Sequence, residues 1–203
     1  MPKDRRLRLN SAPTLVVIGV TLLVLVAAVT ITWQVWGTNG SAREARDKAL
    51  AAFPASCAEP GKTDAVIGVL TIEAIGVREP ILRGTDSSAL GQGVGWYTST
   101  GQPGQAGNFA MAGYRITHGS PLERILELNK GDAITVQMCS GSFTYSVEVA
   151  PRDLTVHSDD SWVLDAVPGH AGRVPTQSVL TITADQDLVP TSDRAVLFAT
   201  LVQ

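Results

Sequence analysis

Few side chains in this 203-residue chain could serve as a nucleophile, a metal ligand or a redox centre. There are two cysteines, Cys57 and Cys139, and three histidines, His118, His157 and His170. Two thiols cannot build a four-thiolate zinc site, and the histidines are spaced too widely for a metal motif. No metal and no cofactor is expected. Cys139 has no histidine near it in sequence and closes a plain strand pattern, so a thiolate nucleophile is not expected there. In an oxidising compartment Cys57 and Cys139 could form a disulfide that ties a linker to the domain. Two free thiols, or a bond between molecules, are the alternatives. Another polar set is Thr181, Thr183 and Asp185, which share one phase of an alternating stretch, with Ile182 and Ala184 on the other. The run Gly91-Gln92-Gly93-Val94-Gly95 lacks the Gly-x-Gly-x-x-Gly spacing, and no strand feeds a helix there. It reads as a tight turn beside Trp96 and Tyr97.

The elements that must position these groups are mostly strands. Residues 66–72 form the first, and Val77 and Ile81-Leu82 follow in short pieces. Residues 109–113 form another after a glycine-rich loop. Ile134, Val136 and Met138 alternate with polar residues, and Gly141-Ser142 turns the chain into residues 143–149, giving a hairpin. Residues 154–156, 179–184 and 195–202 complete the set. One helix is signalled from Ser120: Ser120 as N-cap, Pro121 at N1 and Glu123 at N3. Leu122, Ile125, Leu126 and Leu128 give its apolar side, and Gly131 ends it. The pattern is mainly β with short helices, as in a closed or nearly closed barrel.

The amino-terminal region differs. Residues 14–36 contain no charged group and end in Trp33 and Trp36. At ~1.5 Å per residue they give about 34 Å of helix, against a hydrocarbon core of ~30 Å. Lys3, Arg5, Arg6 and Arg8 precede them with one acid, Asp4. The positive-inside rule then predicts a cytoplasmic basic tail over 1–13 and a transmembrane helix over 14–36. An extracytoplasmic linker over 37–64 and a β domain over 65–203 would follow. Residues 41–50 read as a short helix and 53–64 as irregular. A cleaved signal peptide is the competing reading. The net charge is −3, and residues 41–203 carry 12 basic against 18 acidic groups, so a nucleic-acid binder is excluded.

Three stretches carry a resemblance. Residues 112–119, Ala-Gly-Tyr-Arg-Ile-Thr-His-Gly, resemble the histidine motif of sortases, in particular the actinobacterial class E. Residues 161–169 resemble that class's loop after the sixth strand. Residues 180–185, Leu-Thr-Ile-Thr-Ala-Asp, followed by Arg194, resemble its cysteine-and-arginine motif. The resemblance implies an eight-stranded β-barrel and cysteine transpeptidation: a thiolate attacks, a histidine protonates the leaving amine, and an arginine holds substrate and oxyanion. The histidine position is Tyr114 and the cysteine position Asp185, while the arginine position keeps Arg194. A carboxylate is a poor acyl acceptor beside a thiolate. A phenol holds its proton too tightly to replace the imidazole near neutrality.

The resemblance thus implies a pseudoenzyme of the cell envelope. The expected protein is an inactive sortase homologue, a plasma-membrane single-pass protein with its carboxyl-terminal domain outside. It would act as a binding or scaffolding module for a membrane protein or an extracytoplasmic polypeptide. His118 stands where class E sortases often have tyrosine, so His118 and Asp185 could face one groove with Thr181 and Thr183. The pair is either a water-activating hydrolase site or a structural polar cluster. Trp162 is either a core anchor or a cover for the groove. A protein classed by its domain as a class E sortase is the remaining alternative. Asp185 and Arg194 are expected to form a bidentate pair.

Overall fold

The computed structural model describes residues 11–58, 66–187 and 191–202, with side chains at 11–14 and 31–38 excepted. Lys3, Arg5, Arg6, Arg8 and the stretch around Pro60-Gly61 lie outside the described residues, as do the indoles of Trp33 and Trp36. The chain divides into two compact units, residues 1–37 and 38–203, and helix α1 (Ser11–Ala58) contributes to both.

The larger unit is built on nine strands: β1 (Val66–Ile72), β2 (Val77–Arg83), β3 (Val94–Trp96), β4 (Gly107–Gly113), β5 (Ala133–Met138), β6 (Gly141–Val149), β7 (Thr155–His157), β8 (Ser178–Asp185) and β9 (Asp193–Leu201). Their order is β6-β5-β1-β2-β3-β4-β8-β9-β7, and β6 also pairs with β9. That extra pairing closes eight strands into the expected barrel. β9 divides its partners: its start pairs with β7 and its end with β6. Alternation fills the interior with Leu70, Ile81, Phe109, Met111, Leu180 and Leu197, each at most 1% exposed. Burying one such side chain stabilises by roughly 1.5–3 kcal/mol.

Two glycines of the 91–95 run have a packing reason. A Cβ on Gly95 would come within 2.3 Å of the Gly84 carbonyl oxygen, and one on Gly93 within 2.5 Å of that of Pro80. The run is therefore more than a turn: Val94 and Gly95 lie in β3, parallel to β2.

The helix expected after Ser120 does not form. Ser120 has a positive φ of 54°, which is incompatible with an N-cap, and its hydroxyl donates back to the Ile116 carbonyl. Only a 3₁₀ turn remains, Ile125–Glu127. Leu122, Ile125 and Leu128 are each at most 1% exposed, at the three-residue spacing of a 3₁₀ turn. Core burial of that row outweighs the capping signal. Conversely, the helix read over 41–50 runs on to Ala58 and includes Pro54. A second short helix, α2 (Ser87–Leu90), is capped by Asp86, whose carboxylate accepts from the amides of Ser88 and Ala89.

Among the described residues no helix is long and apolar enough to cross a membrane. This corrects the expectation of a transmembrane helix over 14–36. With it go the embedding in a membrane, the single-pass plasma-membrane placement and the membrane-anchored module. Thr21 and Thr30 do bond back to their own helix, to the carbonyls of Val17 and Val26.

Cys57 and Cys139 are joined in a disulfide, with Cα atoms 5.3 Å apart. The bridge fastens the end of α1 to the β5–β6 turn.

Candidate functional site

The sheet register collects the motif residues at one end of the barrel. β4 and β8 run parallel, with Gly113 opposite Ala184. Tyr114, just past β4, therefore emerges near Asp185, the last residue of β8. β9 returns antiparallel and places Arg194 directly opposite Asp185. A cleft of about 310 Å³ opens there, lined by Tyr97, Tyr114, Thr183, Asp185 and Arg194 among others. Two smaller clefts share its walls. One reaches Asp159, Asp160 and Leu164 past Tyr97, Thr183 and Arg194. The other reaches Ile116, Asp187 and Thr191 past Tyr114, Asp185 and Arg194. Arg194 lines all three.

Arg194 is anchored chiefly by backbone. Its Nη1 donates to the carbonyl oxygens of Thr191 and Asp193, both at 2.9 Å, and approaches Asp185 Oδ1 at 3.5 Å. The expected bidentate pair is thus a single long contact. Both side chains keep about a third of their exposure, 32% for Arg194 and 30% for Asp185. The carboxylate and part of the guanidinium remain open to a ligand.

Thr183 and Thr181 share the Asp185 face of β8, yet only Thr183 lines the cleft. Its hydroxyl shares a 3.3 Å hydrogen bond with the Tyr97 hydroxyl and donates to the Met111 carbonyl at 3.4 Å. Thr181 is fully buried. It donates to Asn108 Oδ1 at 2.6 Å, and Asn108 donates in turn to the carbonyls of Val163 and Asp165. That chain braces the 161–165 loop against the barrel. Trp162 packs on Phe198, with ring centroids 6.1 Å apart, in a satellite cluster with Val156, Val163 and Val196.

His118 stacks on Tyr114, with centroids 4.3 Å apart and planes 18° apart. Tyr114 lines the cleft; His118 lines a separate crevice with Ala42, Arg43, Arg46 and Glu79. Among the described residues no hydrogen bond joins His118 to Asp185. The imidazole Nδ1 instead bonds to Thr117 Oγ1 at 3.0 Å. His157 pairs with the Asp159 carboxylate, which raises its pKa above the usual histidine range.

Sequence reasoning passed over two contributors. Tyr97 lines the cleft and binds Thr183. Arg115 ties down the end of β8: its Nε donates to the Asp185 carbonyl at 2.7 Å and its Nη2 to that of Gln186 at 2.6 Å. Adjacency to Tyr114 was the signal that could have found Arg115. No group of metal-holding side chains occurs among the described residues.

Comparison with known proteins agrees with this geometry. A family profile described as the sortase domain matches residues 70–202. Sortase SrtE1 of Streptomyces coelicolor is 29% identical over 190 residues, which cover 85% of this chain and 52% of the relative. The chain thus spans about half the length of that relative. The structure of sortase E from Streptomyces avermitilis matches at 31% identity and a TM-score of 0.60, covering 70% of this chain and 91% of its own. Sortase E1 from Streptomyces coelicolor, solved with a tripeptide in the active site, matches at 28% identity and a TM-score of 0.61. It covers 69% of this chain and 90% of its own.

Proposed function

We propose, from the premise that this chain belongs to the sortase family with class E-like relatives, that its cleft recognises a peptide segment without thiol transpeptidation. One observation carries the reading. The chain's two cysteines are joined to each other; Asp185, which the motif resemblance aligns with the family's thiolate, is a carboxylate and faces Arg194. Attack by sulfur on a peptide carbonyl needs a free thiolate, which this chain does not hold.

What survives is suited to peptide binding. The 310 Å³ cleft is within the ~300–1,000 Å³ range of ligand sites, and its extensions on both sides suit an extended chain. The Arg194 guanidinium can donate to a peptide carbonyl or a terminal carboxylate. The Tyr97 and Thr183 hydroxyls add a neutral pair of donors and acceptors. The tripeptide in the sortase E1 relative supports the same class of ligand here.

Of the alternatives drawn from the sequence, placement by domain among class E sortases agrees with the comparisons. A hydrolase using His118 with Asp185 lacks the geometry, since the imidazole lies outside the cleft lining. Titration of a fluorescent sorting-signal peptide tests the proposal. Wild type should bind it, and Arg194→Ala should weaken binding on the order of tenfold, as loss of a charge-assisted hydrogen bond does. No binding by the folded wild type, or no effect of Arg194→Ala, would overturn it.

A further inference from the structure

Residues 38–58 of α1 lie against the loop that carries Tyr114. Their far end is held firmly. Ala49 and Phe53 pack in one cluster with Val66, Val69, Leu82 and Ala89, and Cys57 is bonded to Cys139. The near end is held by polar contacts around the buried Ala42. Asn39 Oδ1 accepts from the Gly119 amide at 2.8 Å, and Arg46 Nη1 donates to Glu79 Oε1 at 3.3 Å. Glu79 lies in β2 and is 4% exposed, and its Oε2 is buried with no partner among the described residues.

We infer that residues 39–50 of α1 form a proton-operated clasp on the loop 114–121, seated while Glu79 is protonated and loosened when it ionises. Seating the helix removes Glu79 from water. That burial outweighs the attraction of Arg46 and pushes the carboxyl from its ordinary 4.5 to about 7. The remaining charged or titratable groups are few. From α1, Asp47 adds a repulsion to Glu79. Arg43 from α1 and His118, Glu123 and Arg124 from the loop line the adjoining crevices. Leu70, its partner on β1, brings no charge.

The sign follows from linkage. The seated form binds the proton more tightly than the open form, in which Glu79 returns to water. Seating is therefore fully favoured below about 4.5 and loses that contribution as pH rises through about 7. The unpaired Oε2 points the same way, because an incompletely bonded neutral carboxyl costs less to bury than a carboxylate. The clasp acts on the cleft through Gly119, next to His118, whose ring stacks on Tyr114. It is independent of what the cleft binds.

Hydrogen exchange on the full chain, corrected for intrinsic base catalysis, tests this. Protection of the amides in 39–50 and 114–121 should fall on the order of tenfold between about pH 5.5 and about pH 8.5. Glu79→Gln should hold both segments at their acid-side protection throughout. Arg46→Met keeps Glu79 but removes its counter-charge, so the loss at alkaline pH should grow. This variant decides the matter if Glu79→Gln does not fold. A wild type with no pH response in these segments, a response that survives Glu79→Gln, or an unchanged alkaline loss in Arg46→Met would each overturn the clasp.

Discussion

Asp185 and Arg194 face each other in register across β8 and β9, yet a single oxygen–nitrogen pair approaches, at 3.5 Å. The guanidinium spends its nearer donors on the Thr191 and Asp193 carbonyls. Partly exposed pairs of this kind contribute ~0–1 kcal/mol. Asp185→Ala should therefore lower the melting temperature by no more than about 2–4 °C. A much larger loss in a thermal scan would mean that the pair is a structural lock. Thr181 is the opposite case. Thr181→Val leaves Asn108 Oδ1 buried without its donor, which costs about 1–3 kcal/mol. Denaturant titration should show that loss, and a neutral outcome would contradict the bracing role. The sequence motif named Tyr114, Asp185 and Arg194, and the register explains their convergence. It did not separate Thr181 from Thr183. Both share a face, and only the position of Asn108 on the neighbouring strand buries one of them in a hydrogen-bonded chain.

At the scale of elements, strands were more legible than helices. Alternation marked β5 and β8, an apolar run marked β1, and the Gly141-Ser142 turn marked β6. The loop after Ser120 was misread because its local signals favour a helix while the core claims Leu122, Ile125 and Leu128 in a 3₁₀ row. β3 was read as a turn because its glycines look permissive. They are required by the close approach of Gly84 and Pro80. The Cys57–Cys139 bridge joins α1 to the β5–β6 turn across a sequence separation of 82. Its contribution through chain entropy has a ceiling of about 4.5 kcal/mol. Reduction should lower the melting temperature and free both thiols for alkylation. An unchanged melting curve after complete alkylation would show that packing alone seats the helix.

For the whole molecule, barrel closure was readable from strand count and strand pattern. The amino-terminal region was not, because absence of charge over 14–36 implied a span that the described residues do not provide. Among the described residues one acid, Glu79, is buried, and its burial has a global consequence. Glu79 holds its proton up to about 7 in the fold, against 4.5 ordinarily. Its stabilising contribution is complete below about 4.5 and lost as pH rises through about 7, worth up to ~3 kcal/mol. Global stability should therefore decline from mildly acidic to alkaline pH, and Glu79→Gln should flatten that slope.

In the proposed function the sortase cleft persists while its thiol chemistry is gone. The direct measurement is mass spectrometry of a sorting-signal peptide, with an amine acceptor, after incubation with wild type, Asp185→Cys, and Asp185→Cys combined with Tyr114→His. Wild type should give neither cleaved peptide nor acyl-protein adduct. Asp185→Cys should also give neither, since the thioester forms only as the leaving amine is protonated and expelled and Tyr114 cannot supply that proton, and the double variant should release product. Turnover by wild type, abolished by His118→Ala and indifferent to thiol reagents, would contradict the account and establish a hydrolase in its place.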